Sequence, residues 1–316
     1  MVNEFFSPWE ANVVNSWAEV QEAIEDIVEK NGPHALVWRG QVNADWNLHS
    51  SLYRYLKELK KGADITEENL LKFEKRIVNH IRKQWRVSDI TYLQLLAQLQ
   101  HYGAPTRLID VSLNPYVAVW MAVECQGSHL DGKDGRLFAF HTSDDSSIPS
   151  GEFLGNYECP WDFKVMNESG VVPEMWTREK WTRDIWFWRP PAYNERISAQ
   201  YSGFLVGGVP NRYSDTQGFY RKAPASVNEY WDADEVRGFT SVSIKMVQRG
   251  RKPHAGNNTK ARPAFTLRID AKAKKEIRNR LEKTFMINSS TVYPDAPGMA
   301  SEIKKTLNRK DPNLVK

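Results

Sequence analysis

Between residues 17 and 140 the chain switches repeatedly between the hydrophobic period of a helix and that of a strand, which confines it to a mixed helix-and-sheet fold. Val20, Ala23, Ile24 and Ile27 recur at helical intervals over Trp17 to Val28, and Asn31-Gly32-Pro33 stops that helix. Ala35 to Trp38 is then a short apolar strand. After the N-cap candidate Thr66, the spacing of Leu70, Phe73, Ile77, Ile81 and Trp85 predicts a long amphipathic helix. Ser88 is read as the cap of a second helix, lined by Leu93, Leu96, Ala97 and Gln100 and closed by Gly103 and Pro105. Pro115 opens a third, Tyr116 to Glu124, at the position where proline is tolerated. Gly135 to Phe140 reads as a strand.

Farther on the period weakens. Residues 142–191 read as loop-rich, Arg196 to Val206 as strand or turn-strand, Phe265 to Ile269 as a strand, and Ala271 to Lys283 as an amphipathic helix. Thr291 to Asp295 is expected to begin a last strand-turn-helix. Lys245 to Arg262 carries six Lys or Arg and no acid, the mark of an exposed basic loop that is either solvated or turned to a phosphate backbone or an acidic partner. No repeat or low-complexity tract divides the chain, so one α+β domain is expected over 1–316, with an N-terminal half at 34–124 and a C-terminal half at 135–310.

A 41% hydrophobic and 26% charged composition describes a globular protein rather than a disordered one. No apolar run approaches the ~18 residues of a membrane span, and Met1 to Glu4 lacks a basic leader, so a cytoplasmic protein without membrane contact is expected. Cys125 and Cys159 are the only cysteines, with no paired Cys/His spacing, so neither a disulfide framework nor a bound metal is expected. The net charge of +4 neither requires nor opposes a nucleic-acid partner. Most of the twelve Trp should fill core.

Two stretches carry chemistry. Arg39 ends an apolar strand directly before Gly40, a setting in which a rigid fork of donors can meet an anion or amide while the glycine lets a ligand approach the backbone; taken alone, the pair is better explained by an ordinary salt bridge. Gln98, Gln100, His101, Tyr102, Thr106, Arg107 and Asp110 crowd around apolar Leu108-Ile109, which requires that they pair with one another or with a ligand. A structural Arg107–Asp110 pair is the plain alternative, and His101 reads more readily as a satisfied hydrogen-bonding residue than as a base.

Trp38-Arg39-Gly40-Gln41, followed by Trp46-Asn47-Leu48 and Ser51-Leu52-Tyr53-Arg54, resembles the aromatic-Arg-Gly signature of the FRG domain. Leu95 to Gln98, His101 to Asp110 and Asn114-Pro115 to Ala122 are similar to that family's second motif. Arg196 to Gln200 with Gly203-Phe204 resembles a third, and Tyr293-Pro294-Asp295 with Gly298-Met299-Ala300 a closing one. Aromatic-Arg-Gly at a strand end is also similar to the first motif of ADP-ribosyltransferases, and Thr106 to Ala122 to their second.

That second resemblance implies a split β-sheet flanked by helices, with NAD as a substrate and no metal. It implies catalytic roles for Arg39, Arg107 and Gln200, and a pocket built from Trp38, Gly40, Gln41, Tyr102, Thr106 and Asp110, with Asp110 orienting Arg107. Gln200 stands where such enzymes place a glutamate, so either it positions the ribose or catalysis is absent. The functions implied are an NAD-using toxin or anti-phage effector that modifies a nucleic acid or protein and is held by an antitoxin or inhibitory partner, or a non-catalytic nucleotide or nucleic-acid sensor.

Overall fold

The computed structural model describes residues 3–61, 64–87, 89–126, 128–142, 159–163, 178–191, 195–211, 220–226, 228–252 and 263–308, with side chains outside 128 and 305–308. One mixed sheet runs through them in the order β1-β8-β4-β2-β3-β6-β5, with β7 paired to β8. The strands are β1 (Val13–Val14), β2 (Ala35–Gln41), β3 (Ile109–Ser112), β4 (Gly135–Thr142), β5 (Trp186–Trp188), β6 (Ser202–Val206), β7 (Lys245–Met246) and β8 (Pro263–Ile269). Most neighbours are antiparallel, while β1 and β7 pair with β8 in parallel. The α+β class expected from the alternating periods is therefore the observed one.

The helices follow local chemistry. In α1 (Trp17–Asn31), Ser16 accepts from the Glu19 N–H, and the left-handed Gly32 ends the helix. Thr66 caps α3 (Glu67–Trp85) as the sequence indicates. Ser88 lies outside the described residues; the next helix, α4 (Tyr92–His101), starts later than expected because Thr91 and Gln94 form a capping box there. It ends in a Schellman turn: Gly103 takes φ 86°, and Ala104 N–H donates to Leu99 O at 2.9 Å. Pro115 opens α5 (Pro115–Val123), and Ser50 caps α2 (Ser51–Leu59). Two expectations are corrected: Glu195–Ala199 is a short helix ahead of β6, and Ser289–Val292 is helical, its Asn288 capping box overriding the β-branched Thr-Val pair. Of the expected basic loop, residues 253–262 lie outside the described residues, as do 143–158 and 164–177 of the loop-rich middle.

Alternation along the strands puts core on both faces of the sheet. Trp38, Leu137, Ala139 and Phe265 pack beneath α1, α5 and the helix Lys274–Thr284, while Val37, Phe138, Phe140 and Ala264 meet Phe5 and Phe6 on the opposite side. Between β2 and β3 only Trp38 and Ser112 are in register. Beyond that pair the two strands keep their outer partners, β4 and β6, but lose each other, and the sheet opens as a wedge.

Candidate functional site

The wedge is the mouth of a cavity of about 330 Å³. Arg39, Gly40 and Gln41 form one lip, and Asp110 and Val111 the other; α4 adds Gln100 and His101, the end of α5 adds Glu124, and Arg196, Gln200 and Tyr293 close the far side. Residues 39, 110, 196–200 and 293, widely separated in sequence, thus meet in one place. A neighbouring hollow of about 460 Å³ shares Glu124, Gln126, Arg196 and Tyr293 as a common wall.

Arg39 spans the wedge, its Nη1 donating to the Asp110 carbonyl at 2.7 Å, and its Nε is buried without a hydrogen-bond partner. Burial pulls its pKa below the usual arginine value and Arg54 adds to this, against the attraction of Asp110; a guanidinium stays charged regardless. Asp110 is exposed to the cavity, and its Oδ1 accepts from Gln100 Nε2 at 2.8 Å. Gln41 is buried with a free Oε1, and the Trp46 ring stands 42% exposed at the rim.

On the far side, Tyr293 donates to Glu124 Oε2 at 3.0 Å, and the Arg196 guanidinium lies 5.2 Å from the Tyr293 ring centroid. Burial, then Glu124, raises the Tyr293 pKa, so it acts as a donor. Arg196 pairs with Asp295 at 2.7 Å, and His101 Nε2 stands 3.4 Å from the other Asp295 oxygen. Burial lowers the His101 pKa, Arg196 lowers it further, and Asp295 opposes them, so the imidazole is neutral at pH 7.

Of the residues singled out in the sequence, Arg39, Gly40, Gln41, Asp110 and Gln200 line this cavity, whereas Trp38, Tyr102, Thr106 and Arg107 do not. Trp38 is core, and Thr106 is buried behind Gln100. Tyr102 is 77% exposed, its ring edge-on to His101 at 4.9 Å.

The expected Arg107–Asp110 pairing is overturned. Arg107 lies buried at a bend ahead of β3, while Asp110, within β3, is exposed to the cavity. Arg107 instead sits in a buried network, bonding Glu74 at 2.7 Å and Glu67 at 2.9 Å, with Trp161 4.8 Å from its guanidinium. Burial opposes that charge, but Glu67 and Glu74 outweigh it and hold the pKa above the usual arginine value.

Gly40 also differs from expectation. A Cβ there would lie 1.9 Å from Ala118 O and 2.6 Å from Ala122 N, so the space left by the missing side chain is filled by the backbone of α5 and not by a ligand. Gln200 has both amide ends engaged, donating to Val292 O at 3.1 Å and accepting from Ser202 Oγ at 3.0 Å. Glu124 and Tyr293 were not singled out as site residues; the available signal was a lone carboxylate closing an otherwise apolar helix.

Among the described residues, no cluster of three or more His, Cys, Asp and Glu is placed to hold a metal, and no helix is long and apolar enough to cross a membrane. Fold and cavity together define an α+β protein whose sheet opens onto a cavity lined by charged and polar side chains. Residues 34–130 match the FRG domain family, and the chain carries an FRG domain there. The matched residues supply both lips of the wedge, α4 and Glu124, while Arg196, Gln200 and Tyr293 come from beyond them. No curated protein and no solved structure matches the chain.

Proposed function

We propose that the cavity binds NAD and that the protein is an ADP-ribosyltransferase-like enzyme that modifies a macromolecule, RNA or DNA in the first instance, as a toxin or anti-phage effector. The observation that carries this reading is the meeting of the Arg39 guanidinium and the Asp110 carboxylate in one wedge, a cation for a phosphate beside an acceptor for hydroxyls. A volume of about 330 Å³ suits a base and its ribose, and the adjoining hollow suits the second half of a dinucleotide.

In the reaction the bond from ribose C1′ to the nicotinamide nitrogen breaks, with its electron pair leaving on nicotinamide. An acceptor oxygen or nitrogen bonds C1′ and gives up its proton. Positive charge on the ribose is stabilised by carboxylates placed in advance, Asp110 and Glu124, and neutral His101 is positioned to take the proton. Charge stabilisation thus falls to these groups in place of Gln200.

The committed amide of Gln200 favours a second reading, a nucleotide-binding module without catalysis. Calorimetry with NAD together with an assay for free nicotinamide, in the presence of RNA, DNA or lysate, separates the two. Binding with nicotinamide release that Arg39→Ala abolishes supports the enzyme; binding of intact NAD supports the module; no binding at all refutes both.

A further inference from the structure

The manner in which Asp110 is held makes its carboxylate selective. Thr106 is fully buried and clamped to α2: its N–H donates to Ser51 Oγ at 2.9 Å, and its carbonyl accepts from Ser51 Oγ at 3.1 Å and Leu52 N at 2.9 Å. Its hydroxyl accepts the Leu108 N–H at 3.2 Å, which leaves its one hydrogen for Gln100 Oε1. The Gln100 amide is thereby fixed with its NH2 group toward Asp110, the only arrangement an acceptor-only carboxylate can use. Every bond in this relay has one direction, from the Leu108 amide to Asp110.

Asp110 keeps the second lone pair of Oδ1 and the whole of Oδ2 for the cavity, where no described residue donates to them. Two coplanar acceptors match two hydroxyls on adjacent carbons. Arg39, tied to the Asp110 carbonyl, sets a cation at the same place for an anion joined to that diol. Resting on the nucleotide reading above, we infer that Asp110 binds the ribose hydroxyls of the ligand, that Gln100 and Thr106 are its positioning residues, and that the cavity selects ribonucleotides over 2′-deoxyribonucleotides.

The test is calorimetry of the full chain with NAD and with the analogue lacking the 2′-hydroxyl on the nicotinamide ribose. The analogue should bind roughly tenfold to a hundredfold more weakly, the effect of one hydrogen bond to a charged acceptor. Thr106→Val, which keeps the shape and removes the hydroxyl, should close that gap by weakening NAD, and Thr106→Ser should restore it. Gln100→Met, at a half-buried position, serves the same purpose if Thr106→Val does not fold. Equal binding of the two ligands by the unaltered protein overturns the inference and leaves the nucleotide reading intact; binding of neither overturns both. A gap that persists in Asp110→Asn and in Gln100→Met places selection elsewhere and also overturns it.

Discussion

Gly40→Ala separates the two roles open to the glycine of the aromatic-Arg-Gly motif. If the glycine served a ligand, alanine would weaken binding and leave stability untouched. The structure predicts the reverse order of effects. The new Cβ would stand 1.9 Å from Ala118 O, against about 3.4 Å for ordinary contact, so α5 and β2 must part by about 1.5 Å. The obstacle is helix backbone, which has no rotamer to offer, and α5 buries Val117, Ala118, Val119, Trp120, Ala122 and Val123. Overpacking of a tight core costs about 1–3 kcal/mol, and a backbone obstacle belongs at or above the top of that range. Gly103→Ala is the control: at φ 86° and with nothing within 4 Å, it carries only the backbone cost of roughly 1–2 kcal/mol. Gly135, whose Cβ would meet Ala122 O at 2.4 Å, lies under the same helix, so Gly40→Ala and Gly135→Ala together should cost less than their sum. Urea unfolding of the four variants gives the comparison. A Gly40→Ala loss below that of Gly103→Ala, with an unchanged m-value, would refute the close-packing argument.

Three other outcomes follow from the buried charges. Arg107→Met strands Glu67 and Glu74 and should cost about 3–5 kcal/mol, with Glu74→Gln recovering part of it; normal stability with only activity lost would mark Arg107 as functional. Burial lowers the His49 pKa to about 3, with Lys57 and Arg54 helping and the Arg237 carbonyl opposing. The unfolded chain takes that proton near pH 6.5 and the folded one only near pH 3, so stability is complete above 6.5 and falls on acidification by up to about 1.4 kcal/mol per pH unit. His49→Gln should flatten the curve of urea midpoint against pH by one proton's worth, and an unaltered slope would contradict this. Arg39→Met gives up one hydrogen bond, to the Asp110 carbonyl, but also a buried charge whose Nε has no partner, so thermal melting should change little while NAD affinity falls tenfold or more; a lowered melting point would point to a structural Arg39.

Much of the fold could be read from the sequence wherever a period was long enough or a cap was specific. Trp17–Asn31, Glu67–Trp85 and Ala35–Gln41 are of this kind. The five residues Glu195–Ala199 make little more than one turn, too short for helix and strand patterns to differ. The Ser289–Val292 turn was hidden by β-branched residues that its cap overrides. At the site, the crowding of polar residues around Leu108-Ile109 did signal partners, but choosing them required the facing of each side chain. Arg107 and Asp110 then fall into separate networks, one structural and one at the cavity. Glu124 and Tyr293 are brought together across 169 positions, which no local pattern encodes.

The opening between β2 and β3 gives the cleft a property that side-chain replacement does not reach. Past Trp38 and Ser112 the inner margins of both strands lack their ladder partner, so peptide groups of β2 and β3 border the cleft beside its side chains. An alanine scan of the cleft would remove the guanidinium, the carboxylates and the amides, yet leave those margins as they are. Residual affinity in such a scan measures the contribution of the main chain, and its size would tell how far molecules of quite different side-chain lining could hold the same compound.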